Sequence, residues 1–415
     1  MPPSPHAPAP PRRILLVDCD QFFVQCARLA DPEGVGRQEL LLVGGRPDAR
    51  GVVTSASYPT RAFGVRSGMP MARALRLCPE ARVVPVPGPM CAAKSASVRR
   101  VLERWAPRVE AASVDEAYLE LTGTEALYAG ETLRETARRI QESVWAETDI
   151  RVSIGGGTSK LVAKLAVRPA KPNGVHIVAP GCEEAFLAEL RLEDSPGVGP
   201  VFTEELRGWG LVTVRDALRQ DEATLTRWLG GRGAWLHARI RGRDESPVSA
   251  HGAAKQVSRD ETFPRDLDRD EDLERELLAL AVRLGSDLRG DGLRARTLTV
   301  RIRDADFRTR QAGRTLPTAA ESDGDIYRAA RELLRKLRAA RRVPARLLGV
   351  AASGLVDAAA PVQLGLFEGA DARGDAAGGE AAPDPERTRR LTRAVDALRD
   401  RFGPDAVRPG RLLDR

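Results

Sequence analysis

The sequence predicts a multidomain protein of mixed α+β and α/β class, and three observations predict it. At 415 residues the chain exceeds what one compact core accommodates, so two to four domains are expected. Up to Asn173-Gly174, short apolar runs of strand length alternate with helical stretches. Beyond that point the texture changes twice. It turns first to short helices with glycine turns and then, near Ser246-Pro247, to a linker followed by a second α+β unit.

Residues 1–11 are rich in proline and lack a hydrophobic signal core, so they read as a disordered leader. Residues 14–17, Ile-Leu-Leu-Val, form a continuous apolar strand. Residues 40–45 and 51–54 read as two further strands across a turn-rich loop, and the prolines of 85–89 punctuate the next junction. Helical patterning covers 91–105 and 132–147. A strand at 151–154 meets Gly155-Gly156-Gly157, which read as a tight turn into a helix starting at Thr158. A new unit begins at Lys255. Within it, Leu298, Val300 and Ile302 are predicted to face inward and Thr299, Arg301 and Arg303 outward along one strand. After Leu355 the chain becomes rich in Ala, Gly, Asp and Glu and reads as disordered to about Pro385. A last amphipathic helix carries Leu391, Val395, Leu398 and Phe402 on one face.

Lysine and arginine total 65 against 58 aspartates and glutamates, a net charge of +7 that suits an anionic partner only modestly. The five cysteines are odd in number and form no C-x-x-C or Cys/His ligand spacing, which points to reduced thiols in the cytoplasm. The four histidines are scattered, so no imidazole-rich metal site is expected. No apolar run approaches the length of a membrane span.

Chemistry concentrates in two acidic clusters. Asp18-Cys19-Asp20 ends the first apolar strand, with Gln21-Phe22-Phe23 directly after, and Ser113-Val114-Asp115-Glu116 runs into Ala117-Tyr118-Leu119. A strand ending in Asp and a second strand offering Asp-Glu can bring three carboxylates to one point. Adjacent strand residues point to opposite faces, so Asp115 and Glu116 converge only if a turn or bulge intervenes. Hard oxygen donors without histidine suit Mg²⁺ rather than zinc. Such a site typically holds two ions that clamp the attacking and leaving oxygens of a phosphoryl transfer.

Asp-x-Asp-x-Phe-Phe after a buried strand, followed by Ser-x-Asp-Glu-Ala-Tyr, resembles the signature of the Y-family (translesion) DNA polymerases, most closely their bacterial DNA polymerase IV or DinB branch. The resemblance covers roughly residues 14–355. It implies a right-hand layout: palm at 12–20 and 87–175, fingers at 21–86, and thumb at 176–246. A linker at 247–254 leads to a little finger at 255–355, then a flexible tail at 356–385 and a helical C-terminus at 386–415. It also implies that Asp18, Asp115 and Glu116 are catalytic and hold the metals, with Cys19 offering its backbone carbonyl. Phe22 and Phe23 are assigned to the nucleotide, Phe23 as the steric gate against a 2′-OH. Phe22 also reads as a core residue.

The run from Ser57 to Pro70 is the longest uninterrupted match to that branch, and it assigns Tyr58 and Arg61 to the triphosphate of an incoming deoxynucleotide. Gly155-Gly156-Gly157-Thr158-Ser159-Lys160 fails both the Walker A pattern and the dinucleotide fingerprint. Of Lys160 and Lys164, the resemblance places Lys160 on the β/γ-phosphates. Gly197 and Gly199, in Ser195-Pro196-Gly197-Val198-Gly199-Pro200, read as a helix-hairpin-helix whose backbone approaches a DNA phosphate; a plain αα-hairpin is the alternative. Arg301 and Arg303 belong to a stretch, residues 289–314, that carries eight arginines against three acids, a candidate phosphate surface. Gln363-Leu364-Gly365-Leu366-Phe367 resembles the peptide by which bacterial polymerases dock on the sliding clamp, with Gln363, Leu364, Leu366 and Phe367 as contacts.

The expectation is therefore a monomeric, low-fidelity DNA-directed DNA polymerase acting on primer-template DNA. A catalytically silent relative linking DNA and clamp would lack the metal carboxylates. A structure-specific nuclease would leave Tyr58, Arg61 and the Phe22-Phe23 pair without a role.

Overall fold

The computed structural model describes residues 11–128, 130–250, 254–360, 385–403 and 406–412. Two compact units result, Met1–Pro47 with Gly51–Gly252 and Asp48–Arg50 with Ala253–Arg415.

In the first unit β1 (Ile14–Cys19) leads into α1 (Phe22–Ala30). A small three-stranded sheet follows, built from β2 (Leu41–Gly44), β3 (Val53–Ala56) and β4 (Arg82–Val84), with α2 (Tyr58–Ala62) and α3 (Met71–Leu77) beside it. Then come α4 (Gly88–Glu103), β5 (Arg108–Ala111), β6 (Glu116–Glu120), α5 (Leu133–Thr148), β7 (Val152–Gly157), α6 (Lys160–Ala170) and β8 (Val175–Ile177). Five short helices complete the unit: α7 (Glu183–Ala188), α8 (Pro200–Gly208), α9 (Val214–Leu218), α10 (Glu222–Leu229) and α11 (Gly231–Arg239).

The main sheet has the order β5-β6-β1-β7-β8, which puts β1 at its centre. Every residue of β1 is buried, as a continuous apolar run requires when both faces are covered. The strand's two-residue period divides its side chains between two cores. Leu15, Val17 and Cys19 pack with residues of α4 and α5, among them Val98, Leu102, Ile140 and Val144. Ile14 and Leu16 pack with Ala163 and Val167 of α6. Asp18 shares the period of Ile14 and Leu16, so its carboxylate emerges on the side that α6 covers.

The three glycines correct the sequence reading. Gly155, Gly156 and Gly157 are strand residues of β7, all buried, and the helix starts only at Lys160, with Ser159 as its N-cap. Their role is close approach. A Cβ on Gly155 would lie 2.3 Å from both Ala163 O and Val167 N, so α6 presses its backbone onto β7 where any side chain would intervene.

In the second unit β9 (Gln256–Leu267), α12 (Asp270–Gly290), β10 (Leu293–Asp304), β11 (Thr309–Ala320), α13 (Asp323–Ala340) and β12 (Ala345–Asp357) form an antiparallel sheet of order β11-β10-β12-β9 with two helices. Leu298, Val300 and Ile302 are fully buried in its core with leucines of α12 and α13, while Arg301 and Arg303 are half-exposed. The final helix, α14 (Pro385–Phe402), reaches this unit through charge. Arg289 Nε and Nη2 donate to Asp396 at 2.6 and 2.9 Å, and Arg289 Nη1 donates to Asp323 at 2.8 Å. Its apolar stripe faces outward: Leu391, Leu398 and Phe402 are exposed. The peptide 363–367 lies outside the described residues. No helix among the described residues is long and apolar enough to cross a membrane.

Because backbone rather than a flexible side chain meets the added methyl, Gly155→Ala should cost about 1–3 kcal/mol through overpacking. Denaturant unfolding of the variant measures it, and unchanged stability would show that α6 can retreat from β7 without loss.

Candidate active site

The acidic clusters meet at one end of the main sheet. Asp18, near the end of β1, is directly opposite Glu116, the first residue of β6. Asp115 lies in the turn just before β6, and its carbonyl accepts Cys19 N–H at 2.9 Å. That turn resolves the problem of adjacent carboxylates pointing apart. Ser113 shapes it: its Oγ accepts the backbone N–H of Asp115 (3.2 Å) and Glu116 (3.0 Å) and donates to Asp115 Oδ1 (2.5 Å).

Each remaining carboxylate is met by a lysine. Lys171 Nζ donates to Asp18 Oδ1 and Lys164 Nζ to Glu116 Oε2, both at 2.7 Å. Asp18 is 6% exposed, and its carboxyl is pushed up to about 6. Burial is the largest cause; Lys171 opposes it, while Glu116 and Asp115 add to it. With every acid turned to its own donor, no three Asp, Glu, His or Cys side chains among the described residues are grouped to hold a metal. The donors themselves fit a hard divalent cation. They are carboxylate oxygens on adjoining strand ends, and two ammonium groups already rest on them. The Cys19 side chain is buried in the apolar core, so the main chain is what this residue has to offer.

The lysines fall out differently from the sequence reading. Lys160 donates to both oxygens of Glu110 on β5, at 2.6 and 2.8 Å, and its ammonium lies 4.7 Å from the Tyr118 ring centroid. Lys164 reaches the carboxylates instead. The cause is direction: β7 runs antiparallel to β1, pairing Gly157 with Ile14 and Val152 with Cys19, and α6 then runs back along the sheet. Lys160 therefore lies toward the Ile14 end, whereas Lys164 and Lys171 lie progressively closer to Asp18. Lys171 has no part in the sequence reading. Its spacing of seven from Lys164, two helical turns, was the available signal.

The aromatic pair divides. Phe22 is 1% exposed and belongs to the main core, so it offers no surface to a nucleotide, contrary to its assignment. Phe23 is half-buried and stands edge-on to Phe22 at 5.5 Å. Consecutive helical positions are about 100° apart, which turns one ring inward and leaves the next at the rim.

Asp20, acidic but without an assigned part, is the hub behind these groups. It is 3% exposed and accepts from Tyr58 OH (2.7 Å), Ser153 Oγ (2.9 and 3.0 Å) and the backbone N–H of Asn173 (2.7 Å). Gln21, held at φ 41°, accepts the Tyr58 backbone N–H at 2.9 Å. The start of α2 is thus tied to the sheet from two directions. Arg61 is exposed, its guanidinium 4.9 Å from the Tyr58 ring centroid and its Nε bonded to Ala56 O at 3.0 Å.

The other assigned residues lie elsewhere. Gly197 precedes α8 at φ 95°, and a Cβ there would come within 2.8 Å of Trp235; Gly199 is the N-cap of α8. Arg301 is 3.7 Å from Asp260, and Arg303 Nε donates to Thr309 at 2.9 Å.

Since the folded-state value of Asp18 lies above its free value, stability from its neutral form is lost as pH rises from about 4 to about 6. Asp18→Asn should consequently stabilise the metal-free protein at pH 8 by about 1–3 kcal/mol, the gain vanishing below pH 4. Thermal denaturation across that range is the measurement, and a loss of stability at pH 8 would mean that the Lys171 contact outweighs burial.

The chain matches known proteins along most of its length. The model of the impB/mucB/samB family matches residues 17–168, and that of the family's C-terminal domain matches residues 254–366. The DNA polymerase IV of Desulfatibacillum aliphaticivorans is 34% identical over 401 residues, 96% of each chain. That of Caulobacter vibrioides is 34% identical over 96% of this chain and 94% of its own. Among solved structures, a Y-family DNA polymerase chimera of Dbh and Dpo4 superposes with a TM-score of 0.74 at 26% identity, covering 83% of this chain and 99% of the chimera. DinB from Sulfolobus solfataricus gives 0.55 at 26% identity over 82% and 98%. Two family models that together span more than half of the chain, and relatives matched nearly end to end, make this chain a member of the impB/mucB/samB family, the Y-family DNA polymerases of the DinB branch.

Proposed function

We infer that the protein is a template-directed, low-fidelity DNA polymerase that adds deoxynucleotides to a primer 3′-OH and copies past damaged bases. The observation that carries the reading is the meeting of Asp18, Asp115 and Glu116 at the ends of β1 and β6, with Phe23 and α2 nearby. Relatives named DNA polymerase IV and a solved ternary complex of Dbh DNA polymerase support it. Asp18, Asp115, Glu116 and the Cys19 carbonyl would hold the divalent cations, proposed to be two Mg²⁺. Such ions stabilise charge on the attacking and leaving oxygens of phosphoryl transfer.

The chain's own groups then have distinct work. Lys164, beside Glu116, is better placed than Lys160 to meet a triphosphate. Tyr58 has its one hydroxyl hydrogen committed to Asp20, so in this arrangement Arg61 supplies the positive charge and Tyr58 the ring beneath it. Phe23 would exclude a 2′-OH. The backbone around Gly197 and Gly199, and the faces carrying Arg301 and Arg303, would hold DNA phosphates without reading sequence. We place the enzyme in the bacterial cytoplasm, as a monomer recruited to the sliding clamp by residues 363–367.

Primer extension tests the reading. Asp115→Ala and Glu116→Ala should each lower the rate by at least about 100-fold, the usual scale for losing charge stabilisation at a reacting centre, while DNA binding persists. Phe23→Ala in the same assay should raise ribonucleotide incorporation. Near-normal extension by either carboxylate variant would refute the mechanism.

Recruitment is tested separately. Replacing Leu366 and Phe367 by alanine should leave extension of a short primer intact and cost roughly 2–4 kcal/mol of clamp docking, from ~1.5–3 kcal/mol per fully buried large side chain with partial burial. Titration with the clamp reads this, and equal stimulation of both proteins would place the contact elsewhere.

A further inference from the structure

The turn between β10 and β11 carries a feature that neither its fold nor the polymerase site explains. Phe307 has a φ of 66°, in the left-handed region, where a bulky side chain is a rare outlier and glycine or asparagine is the ordinary occupant. Burial does not compensate, because Phe307 is 63% exposed. A strained backbone that holds an apolar ring out in water is the opposite of what stability alone would select, and such strain clusters at functional positions.

The turn is held rigid from below. Asp304 is fully buried and accepts from Arg310 Nε (3.1 Å), Arg310 Nη2 (3.0 Å) and Arg341 Nη1. Asp306 accepts from Arg341 Nη2 at 2.7 Å and from the backbone N–H of Arg308 at 3.1 Å, and the Phe307 N–H donates to Asp304 O at 2.9 Å. Both acids are thereby committed to Arg310 and Arg341. Among the described residues, Arg303, Arg308 and Arg346 have no carboxylate within ion-pair distance. The Arg346 guanidinium lies 4.7 Å from the Phe307 ring centroid. The result is a preformed tip: one exposed aromatic ring, set in a fixed direction, with the Arg346 guanidinium beside it and the unneutralised Arg303 and Arg308 on the same hairpin.

That combination matches one ligand chemistry. Single-stranded nucleic acid offers phosphates to arginine and unstacked bases to an aromatic face, whereas in a duplex the base faces are already covered by their neighbours. We propose that Phe307 is a stacking platform for an unpaired base of single-stranded DNA, with Arg303, Arg308 and Arg346 gripping the flanking phosphates. In the polymerase reading, on which the identity of the strand rests, this is unpaired template. The left-handed turn aims the ring, and the arginines supply affinity without sequence preference.

The test uses the full-length chain with Phe307→Asn, which suits a left-handed turn, and Phe307→Trp, which keeps an aromatic face. Fluorescence anisotropy with a labelled oligothymidine and with a blunt duplex, at fixed salt and without nucleotide, reads binding; thermal denaturation reads stability. The expected result is a loss of roughly 5- to 100-fold in oligothymidine affinity for Phe307→Asn. Duplex affinity should be unchanged, the thermal midpoint equal or higher, and Phe307→Trp close to wild type. Unchanged oligothymidine binding would overturn the proposal and leave the tip to a protein partner. Equal losses on both DNAs, or a lowered thermal midpoint, would also overturn it, showing that the ring merely supports the arginines or the fold. Primer extension by the wild-type protein is scored independently, so failure of the polymerase reading would be visible apart from this result.

Discussion

Three carboxylates forced to one end of a sheet are the constraint around which the first unit is organised. Burial of Asp18 disfavours its ionisation most, and the neighbouring Glu116 and Asp115 add to the cost, which is why its carboxyl rises to about 6 although Lys171 opposes the shift. The fold answers with α6. Glycines in β7 let that helix lie against the strand, and its course back along the sheet carries Lys164 and Lys171 to Glu116 and Asp18. A stable but inert protein would place apolar residues here. Acids in this position carry that cost, an instance of the usual opposition of stability and activity.

A second buried carboxylate does different work. Asp20 is two residues from Asp18, yet it turns to Tyr58, Ser153 and Asn173 rather than to the acidic cluster. Three donors converging on one buried acceptor join three separate segments, and removing that acceptor would strand all of them at about 1–3 kcal/mol for each unsatisfied group. The position of α2, and with it Arg61, depends on this hub and on Gln21. Within Asp-x-Asp, Asp18 is a strand residue beside the other acids, whereas Asp20 lies past the end of β1, where the chain turns into α1 and its carboxylate serves architecture.

The second unit distributes charge by the same economy of pairing. Arg289 bridges Asp396 of α14 and Asp323 at the start of α13, and Asp304 is buried only because Arg310 and Arg341 surround it. Buried acids of this kind contribute little net stability, but they hold neighbouring segments in one geometry. At the β10–β11 turn that geometry presents Phe307 outward; at α14 it fixes a helix whose apolar stripe faces away from its support.

The class of the fold, the strand of residues 14–17, the inward set Leu298, Val300 and Ile302, and the acidic clusters were legible in the sequence. Periodicity and burial of local runs are properties of neighbouring residues, which a linear reading can see. What the tertiary structure alone decided are matters of which segments meet. Gly155, Gly156 and Gly157 look like a turn in isolation and become a strand because α6 needs their missing side chains. Lys160 and Lys164 look equivalent until the antiparallel run of β7 sends one to Glu110 and the other to Glu116. Phe22 and Phe23 differ by a helical rotation whose inward direction is set by α4 and the sheet. In each case the deciding quantity is a contact between residues distant in the chain, and composition and spacing carry no term for it.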